Sequence, residues 1–228
     1  MYRVLIVEDD ADIAALEQDY LEVSGFKTEI VKDGESAVKK ALTGRFDLIL
    51  LDIMLPELDG FSVCETIRKE LDLPILMVTA KHDSIYKIRG LGLGADDYIA
   101  KPFDPAELVA RVKAHLSRYE RLTSKNDSEI IDLGRLRIPK HGWKVYVEDE
   151  EIDLTNKEFE LLLFLAQNPN VVFSKEQIFE RIWGYDYIND SATVAVHINR
   201  LREKIEVDSK NPKYITTIRG AGYRFNKV

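Results

Sequence analysis

The sequence predicts two folded modules in series: an open α/β domain built on a parallel sheet, then a smaller α+β domain. Three observations carry that reading. Residues 1–120 alternate short apolar runs with segments of helical period; a polar stretch from Arg121 to Glu129 interrupts the pattern; the remainder gives short strand-like runs, three helical segments and a glycine-turned hairpin. A chain of 228 residues falls between one and two domains at roughly 100–200 residues each. At 45% hydrophobic and 32% charged, it has the apolar material for sizeable cores.

In the first module, VLIV (Val4–Val7), TEIV (Thr28–Val31), DLILL (Asp47–Leu51), PILMV (Pro74–Val78) and DYIA (Asp97–Ala100) read as buried strands. Between them apolar residues fall three and four apart, as at Ile13, Leu16, Tyr20 and Val23, which predicts helices that bury that stripe. Asp10 and Gly25 bracket the first of these as N-cap and C-cap, and Asp59-Gly60 reads as a turn ahead of another. Five strands alternating with five helices, the last from Asp104 to about Tyr119, require a parallel sheet covered on both faces. Residues 121–129 lack apolar period and predict a linker. Over 130–228 the strand-like runs are Ile130–Ile138, Trp143–Val147 and Glu151–Leu154. Helices are predicted from Thr155, from Ser174 and from about Asp190 to Ile205, ahead of two strands joined by Gly220-Ala221-Gly222.

Composition excludes several classes. No apolar run approaches the ~20 residues that cross a bilayer. Met1-Tyr2-Arg3 leads into VLIV and then acid, without a cleavable signal pattern. A single cysteine, Cys64, forbids an internal disulfide framework and suits a reducing compartment. The expectation is a cytoplasmic protein with no membrane partner. The formal charge of −8 argues against nucleic acid only as an average. Residues 1–124 hold 16 Lys/Arg against 23 Asp/Glu, whereas 197–228 hold 8 against 3. An acidic first half and a basic tail are two chemistries.

The acids of the first half fall at the carboxyl ends of the predicted strands, the edge at which open parallel sheets bind ligands. Glu8-Asp9-Asp10 follows the first strand, Asp52 the third, Thr79 the fourth, and Lys101-Pro102 the fifth. Strands one and three should be neighbours, so Glu8, Asp9 and Asp52 should converge. Carboxylates that close repel one another unless a cation intervenes, and an all-oxygen set suits Mg²⁺. Lys101 adds positive charge and Thr79 a hydroxyl, as phosphoryl transfer to an aspartate would need. Asp10 reads better as a helix cap than as a ligand. A phosphatase with an aspartate nucleophile would want a second acid two residues on, where this chain has Met54. Gly90-Leu91-Gly92-Leu93-Gly94 follows no strand and precedes no Gly-Lys-Ser, so it reads as helix-ending packing. His82, His115, His141 and His197 lack metal spacing and read as structural or surface residues.

VLIVEDD, LLDIMLPELDG, MVTA and GADDYIAKPF, with their spacing, resemble a two-component receiver domain of the flavodoxin-like (βα)5 class. The second module resembles a winged helix-turn-helix, and nearly the whole chain resembles the OmpR/PhoB response regulators. The domains implied are a receiver (1–120), a linker (121–129) and a winged helix-turn-helix (130–228). The resemblance implies Asp52 as phosphoacceptor for a sensor histidine kinase. It implies Mg²⁺ on Glu8, Asp9, Asp52 and the Met54 carbonyl, and Thr79 and Lys101 on phosphoryl oxygens. It further implies a cis Lys101-Pro102 peptide and Tyr98 as an aromatic switch. Lys87, Asp96, Asp97, Glu107, Arg111 and Arg118 match a two-fold dimer face, with Lys87–Glu107, Asp97–Arg111 and Asp96–Arg118 as pairs. A homodimer formed on phosphorylation would then engage promoter DNA to control transcription.

In the second module, Thr193, Val196, Asn199, Arg200 and Lys204 could share a surface of the third helix, while Val194, Ile198, Leu201 and Ile205 give an apolar stripe. Such a helix fits the major groove of double-stranded DNA. By resemblance Arg200 contacts bases and Arg202 phosphate, and Arg219, Gly220, Gly222 and Tyr223 form a wing whose Arg219 could enter the minor groove. The family commonly has Arg where Ala192 and Asn199 stand, and often Asp at Ala195, which leaves the base preference open. Trp183 reads equally as packing or as a contact to DNA or RNA polymerase. Direct-repeat half-sites are implied. The alternative is an output module that binds protein rather than DNA, against which the basic tail and the hairpin speak.

Overall fold

A computed structural model describes residues 1–80, 84–123, 130–140, 143–184 and 191–227 of the chain. The chain separates into two compact units, Met1–Glu120 and Arg121–Val228.

The first unit alternates β1 (Arg3–Val7), α1 (Ala11–Val23), β2 (Lys27–Val31), α2 (Gly34–Thr43), β3 (Leu48–Leu51), α3 (Gly60–Arg68), β4 (Ile75–Thr79), α4 (Ser84–Gly92), β5 (Asp97–Ala100) and α5 (Pro105–Thr123). The five strands form one parallel sheet in the order β2-β1-β3-β4-β5, the flavodoxin-like arrangement. β3 and β4 are buried residue by residue, as a parallel sheet covered on both faces demands. Val4, Ile6, Leu48, Leu50, Leu76, Val78 and Ile99 pack on one face with Leu108, Val112 and Leu116 of α5. Asp10 caps α1 by accepting from Asp12 N and Ile13 N, and Asp59 caps α3 by accepting from Ser62 N.

Two expectations for this unit fail. α1 buries Ala14, Glu17 and Leu21, whereas Leu16, Tyr20 and Val23 are 41%, 44% and 90% exposed. Both stripes repeat at helical spacing, and α1 turns the less hydrophobic one inward. α5 also runs through Arg121-Leu122-Thr123, the start of the expected linker, because nothing in Arg118–Leu122 breaks a helix.

The second unit opens with an antiparallel sheet, β6 (Ile130–Asp132), β7 (Leu136–Pro139), β8 (Val145–Val147) and β9 (Glu150–Ile152), in sequence order. The single run expected over Ile130–Ile138 is thus two strands, split at Gly134, whose φ of 74° is a turn conformation. Three helices follow: α6 (Asn156–Gln167), α7 (Lys175–Trp183) and α8 (Ser191–Ile205). Thr155 with Glu158, and Ser174 with Gln177, form reciprocal capping boxes at α6 and α7. β10 (Val172–Phe173), β11 (Ile215–Ile218) and β12 (Gly222–Phe225) make an antiparallel sheet in the order β10-β12-β11. Val194, Ile198, Leu201 and Ile205 are each fully buried, so the apolar stripe of α8 faces the core as its spacing requires. Among the described residues no helix is long and apolar enough to cross a membrane.

Candidate functional site

The register of the parallel sheet assembles an acidic pocket. Val7 pairs with Leu51, so the next residues, Glu8 and Asp52, leave adjacent strand ends together. Asp52 N donates to Val7 O (2.9 Å), Glu8 N to Val31 O (3.0 Å), and Lys101 N to Thr79 O (2.8 Å). These bonds continue the ladders one residue past the strands and fix where each side chain starts. Beneath them Gly60 N donates to Ile53 O (3.0 Å), and a Cβ on Gly60 would run into the Asp52 carbonyl. The Asp59-Gly60 turn therefore supports the backbone of Asp52 by close approach.

Glu8, Asp9 and Asp52 each offer a carboxylate oxygen, all within 4.8 Å of one another, with Glu8 and Asp52 buried and Asp9 exposed. Lys101 Nζ lies 2.6 Å from Asp52 Oδ2 and pairs also with Glu8. Met54 N donates to Asp52 Oδ1 (3.0 Å). Thr79 is fully buried, Tyr98 is buried, and Lys101-Pro102 is cis. Burial pushes the Glu8 carboxyl upward against the opposing pull of Lys101. Burial would depress the Lys101 ammonium, but Asp52 and Glu8 outweigh it and hold the pKa above its usual value. Lys101 is one cation serving two buried acids, so the pocket retains excess negative charge. An oxygen-only donor set with that charge fits a hard divalent ion.

Glu17 is a fourth acid that the sequence reading missed. It is 2% exposed, and its buried Oε1 has no hydrogen-bond partner among the described residues. Burial, added to by the charges of Glu8 and Asp52, pushes its carboxyl up to about 8. The only signal in the sequence was its place with Ala14 and Leu21 on one helical stripe.

Asp96, Asp97, Glu107 and Arg111 of the expected dimer face have partners within the chain. Asp96 is 4% exposed and its Oδ2 takes Arg68 Nη2 (2.8 Å) and Ile75 N (2.9 Å), which anchors α3 to the sheet. Within one chain it is an internal anchor. Asp97 is likewise buried and meets Arg111 Nη1 (3.3 Å) and His115 Nε2 (3.0 Å) of its own α5. Burial would raise the Asp97 carboxyl, but His115 and Arg111 hold it below the usual range. Arg111 also pairs with Glu107 at 2.7 Å. The side chain of Lys87, like His82 and His141, lies outside the described residues.

On α8 the structure sorts the proposed contacts into two groups. Ala192 and Asn199 are exposed, and Val196 and Arg200 are half-buried. Thr193, by contrast, is fully buried, so it cannot share their surface. Lys204 Nζ turns back to Asp153 O (2.9 Å) and Glu158 Oε2 (2.7 Å). Arg202 donates to Ile215 O (2.9 Å) and Thr217 Oγ1 (2.8 Å), fastening α8 to β11, and lies over the Tyr223 ring at 5.7 Å. Tyr223 is 7% exposed and belongs to the interior rather than to a contact surface. Arg219 is exposed at the hairpin turn, with Gly220 at φ 74° beside it. Gly222, at φ 131°, lies where a Cβ would strike Phe173 O, so only glycine closes β12 onto β10. Trp183 stacks on Phe179 (5.2 Å) and meets His197 edge-on (4.9 Å), both buried, which makes it a packing residue.

Comparison with known proteins agrees with both halves. Residues 4–113 match the family model of the response regulator receiver domain, and residues 149–225 that of the C-terminal domain of transcriptional regulatory proteins. The chain is 45% identical over 233 residues to the alkaline phosphatase synthesis transcriptional regulatory protein PhoP of Bacillus subtilis (strain 168), covering 99% of this chain and 97% of PhoP. It is 42% identical over 222 residues to the DNA-binding response regulator MtrA of Mycobacterium tuberculosis (strain H37Rv), covering 97% and 96%. The crystal structure of DrrB, a Thermotoga maritima OmpR/PhoB homolog, shares 33% identity at TM-score 0.51 over 99% of each chain. A mutant of RitR shares 28% at TM-score 0.76, again over 99% of each.

Proposed function

The chain belongs to the OmpR/PhoB family of two-component response regulators and is a phosphorylation-dependent, DNA-binding transcription regulator rather than an enzyme; on that premise we propose that Asp52 is its phosphoacceptor. Asp52 stands between a hydrogen bond from Met54 N at one oxygen and the Lys101 ammonium at the other. A carboxylate so placed can take a phosphoryl group from a histidine of a sensor kinase: the P–N bond breaks and a P–O bond to Asp52 forms. Glu8, Asp9, Asp52 and the Met54 carbonyl would hold Mg²⁺. Such an ion would supply the positive charge that lets a phosphate approach this many carboxylates.

Lys101 would then exchange Asp52 for a phosphoryl oxygen, and the Thr79 hydroxyl would engage another. Tyr98, next to Asp97 on β5, would carry that change toward Asp97, Glu107 and Arg111, the residues proposed for the dimer face. We place the protein in the cytoplasm, with its DNA domains on direct repeats and RNA polymerase as a further partner.

The observation that carries this reading is the 2.6 Å approach of Lys101 Nζ to Asp52 Oδ2 beside two further carboxylates. Labelling with acetyl phosphate tests it. Incorporation should require Mg²⁺ and vanish in Asp52→Ala; full labelling in excess EDTA would refute the metal assignment.

A further inference from the structure

The outward face of α8 is nearly free of positive charge. Ala192, Asn199 and Glu203 are exposed, and Ala195 and Val196 are half-buried. At 3.6 residues per turn these five lie within about 100° of arc. Arg200, half-buried, falls on the margin of that arc. The other two cations in the C-terminal half of the helix are committed elsewhere, Arg202 to Ile215 and Thr217 and Lys204 to Asp153 and Glu158. A duplex meeting this face meets one side-chain amide, several methyl groups and a carboxylate.

That surface selects bases by its chemistry. Bidentate recognition of guanine O6 and N7 needs Arg or Lys, which the centre of the face lacks. An amide such as Asn199 matches adenine, accepting from N6 and donating to N7. Ala and Val side chains pack against the thymine C5-methyl, the one apolar feature of the major-groove edge. Glu203, one turn beyond Asn199, repels phosphate and favours docking by the N-terminal part of the helix, as helix-turn-helix readers dock. Phosphate contact is left to groups off this face, with Arg219 and Lys213 both exposed.

We propose that α8 reads an A·T-dominated half-site, with Asn199 paired to adenine, Ala195 and Val196 against thymine methyls, and Arg200 reading a single flanking G·C pair. The proposal rests on the reading of α8 as the groove-entering helix and names the sequence class that helix selects.

The test is selection of bound duplexes from a random pool by the full-length protein treated with acetyl phosphate and Mg²⁺. The enriched half-site should be mostly A·T. Asn199→Ala should flatten one position, losing about 5- to 150-fold discrimination there, and Asn199→Arg should turn adenine into guanine at that position. Replacing thymine by uracil in the selected site deletes only the methyl group and should weaken binding several-fold without any change in the protein. A G·C-dominated site, or a preference unmoved by both Asn199 variants and by uracil, overturns the proposal while leaving sequence-specific DNA binding intact. Failure to enrich any duplex overturns the DNA-binding reading and this proposal together.

Discussion

Lys101 holds two buried acids at once, and that arrangement sets what each neighbouring substitution should do. Asp9, exposed and with no such contact, should matter through the metal: Asp9→Ala should cut Mg²⁺-dependent labelling of Asp52 sharply. Asp10→Ala should cut it less, because Asp10 is spent on capping α1; its cost should appear as about 0.5–2 kcal/mol of stability. Glu17 makes a separate prediction. Its carboxyl is raised to about 8 in the folded chain, against about 4.3 when exposed, so below pH ~4 it is protonated in both states and costs nothing. As pH rises toward 8 the unfolded chain releases this proton while the folded chain keeps it, and stability falls. Glu17→Gln should therefore stabilise metal-free protein by about 1–3 kcal/mol at pH 8 and by little at pH 4, read by denaturant melts at both. An equal effect at the two pH values would refute the account of Glu17.

At the scale of elements, α5 and β5 share a buried network in which Asp97, Arg111 and His115 are tied within one chain. A dimer face built on these residues has to reorganise pairs that already exist, and Thr79 at the end of β4 is the proposed trigger. Thr79→Ala should still accept phosphate at Asp52 yet show blunted dimerisation in sedimentation with acetyl phosphate. A dimer of equal strength without phosphorylation, indifferent to charge reversal at Arg111, would contradict it. Arg202, fastening α8 to β11, should when changed to Ala destabilise the DNA-binding unit by about 1–2 kcal/mol, measured by thermal melting. The elements show why sequence reads some features and not others. The strands of the first unit were legible to within a residue: β3 and β4 are buried apolar runs, whereas β2, expected to be buried, is only half-buried with Lys27 exposed, because Lys27 and Glu29 put charge in it. Which stripe of α1 faces inward was not, because two stripes share the helical period. Nor could the sequence reveal that Asp96 would find Arg68, or Lys204 find Glu158, since such partners meet only once the chain has folded. Long polar side chains on a reading helix look alike until those contacts sort them.

Over the whole molecule, the acidic first half is one compact unit, and the basic stretch 197–228 forms the end of the other. The common geometry of the strand ends made Glu8, Asp9, Asp52, Thr79 and Lys101 legible as a group, because parallel register alone brings them together. A dimer should place two α8 helices in successive major grooves, about 10–10.5 base pairs apart. If the half-sites are direct repeats, inverting one should lower affinity, and undiminished binding would point to a symmetric arrangement of the DNA domains. The central claim is that chemistry at Asp52 governs DNA affinity, and one titration tests it most directly: binding of a two-half-site duplex by wild type and Asp52→Ala, each with and without acetyl phosphate and Mg²⁺. The wild type should gain affinity on treatment, together with the mass of one phosphoryl group, while Asp52→Ala should gain neither; an equal gain in the variant would contradict the account.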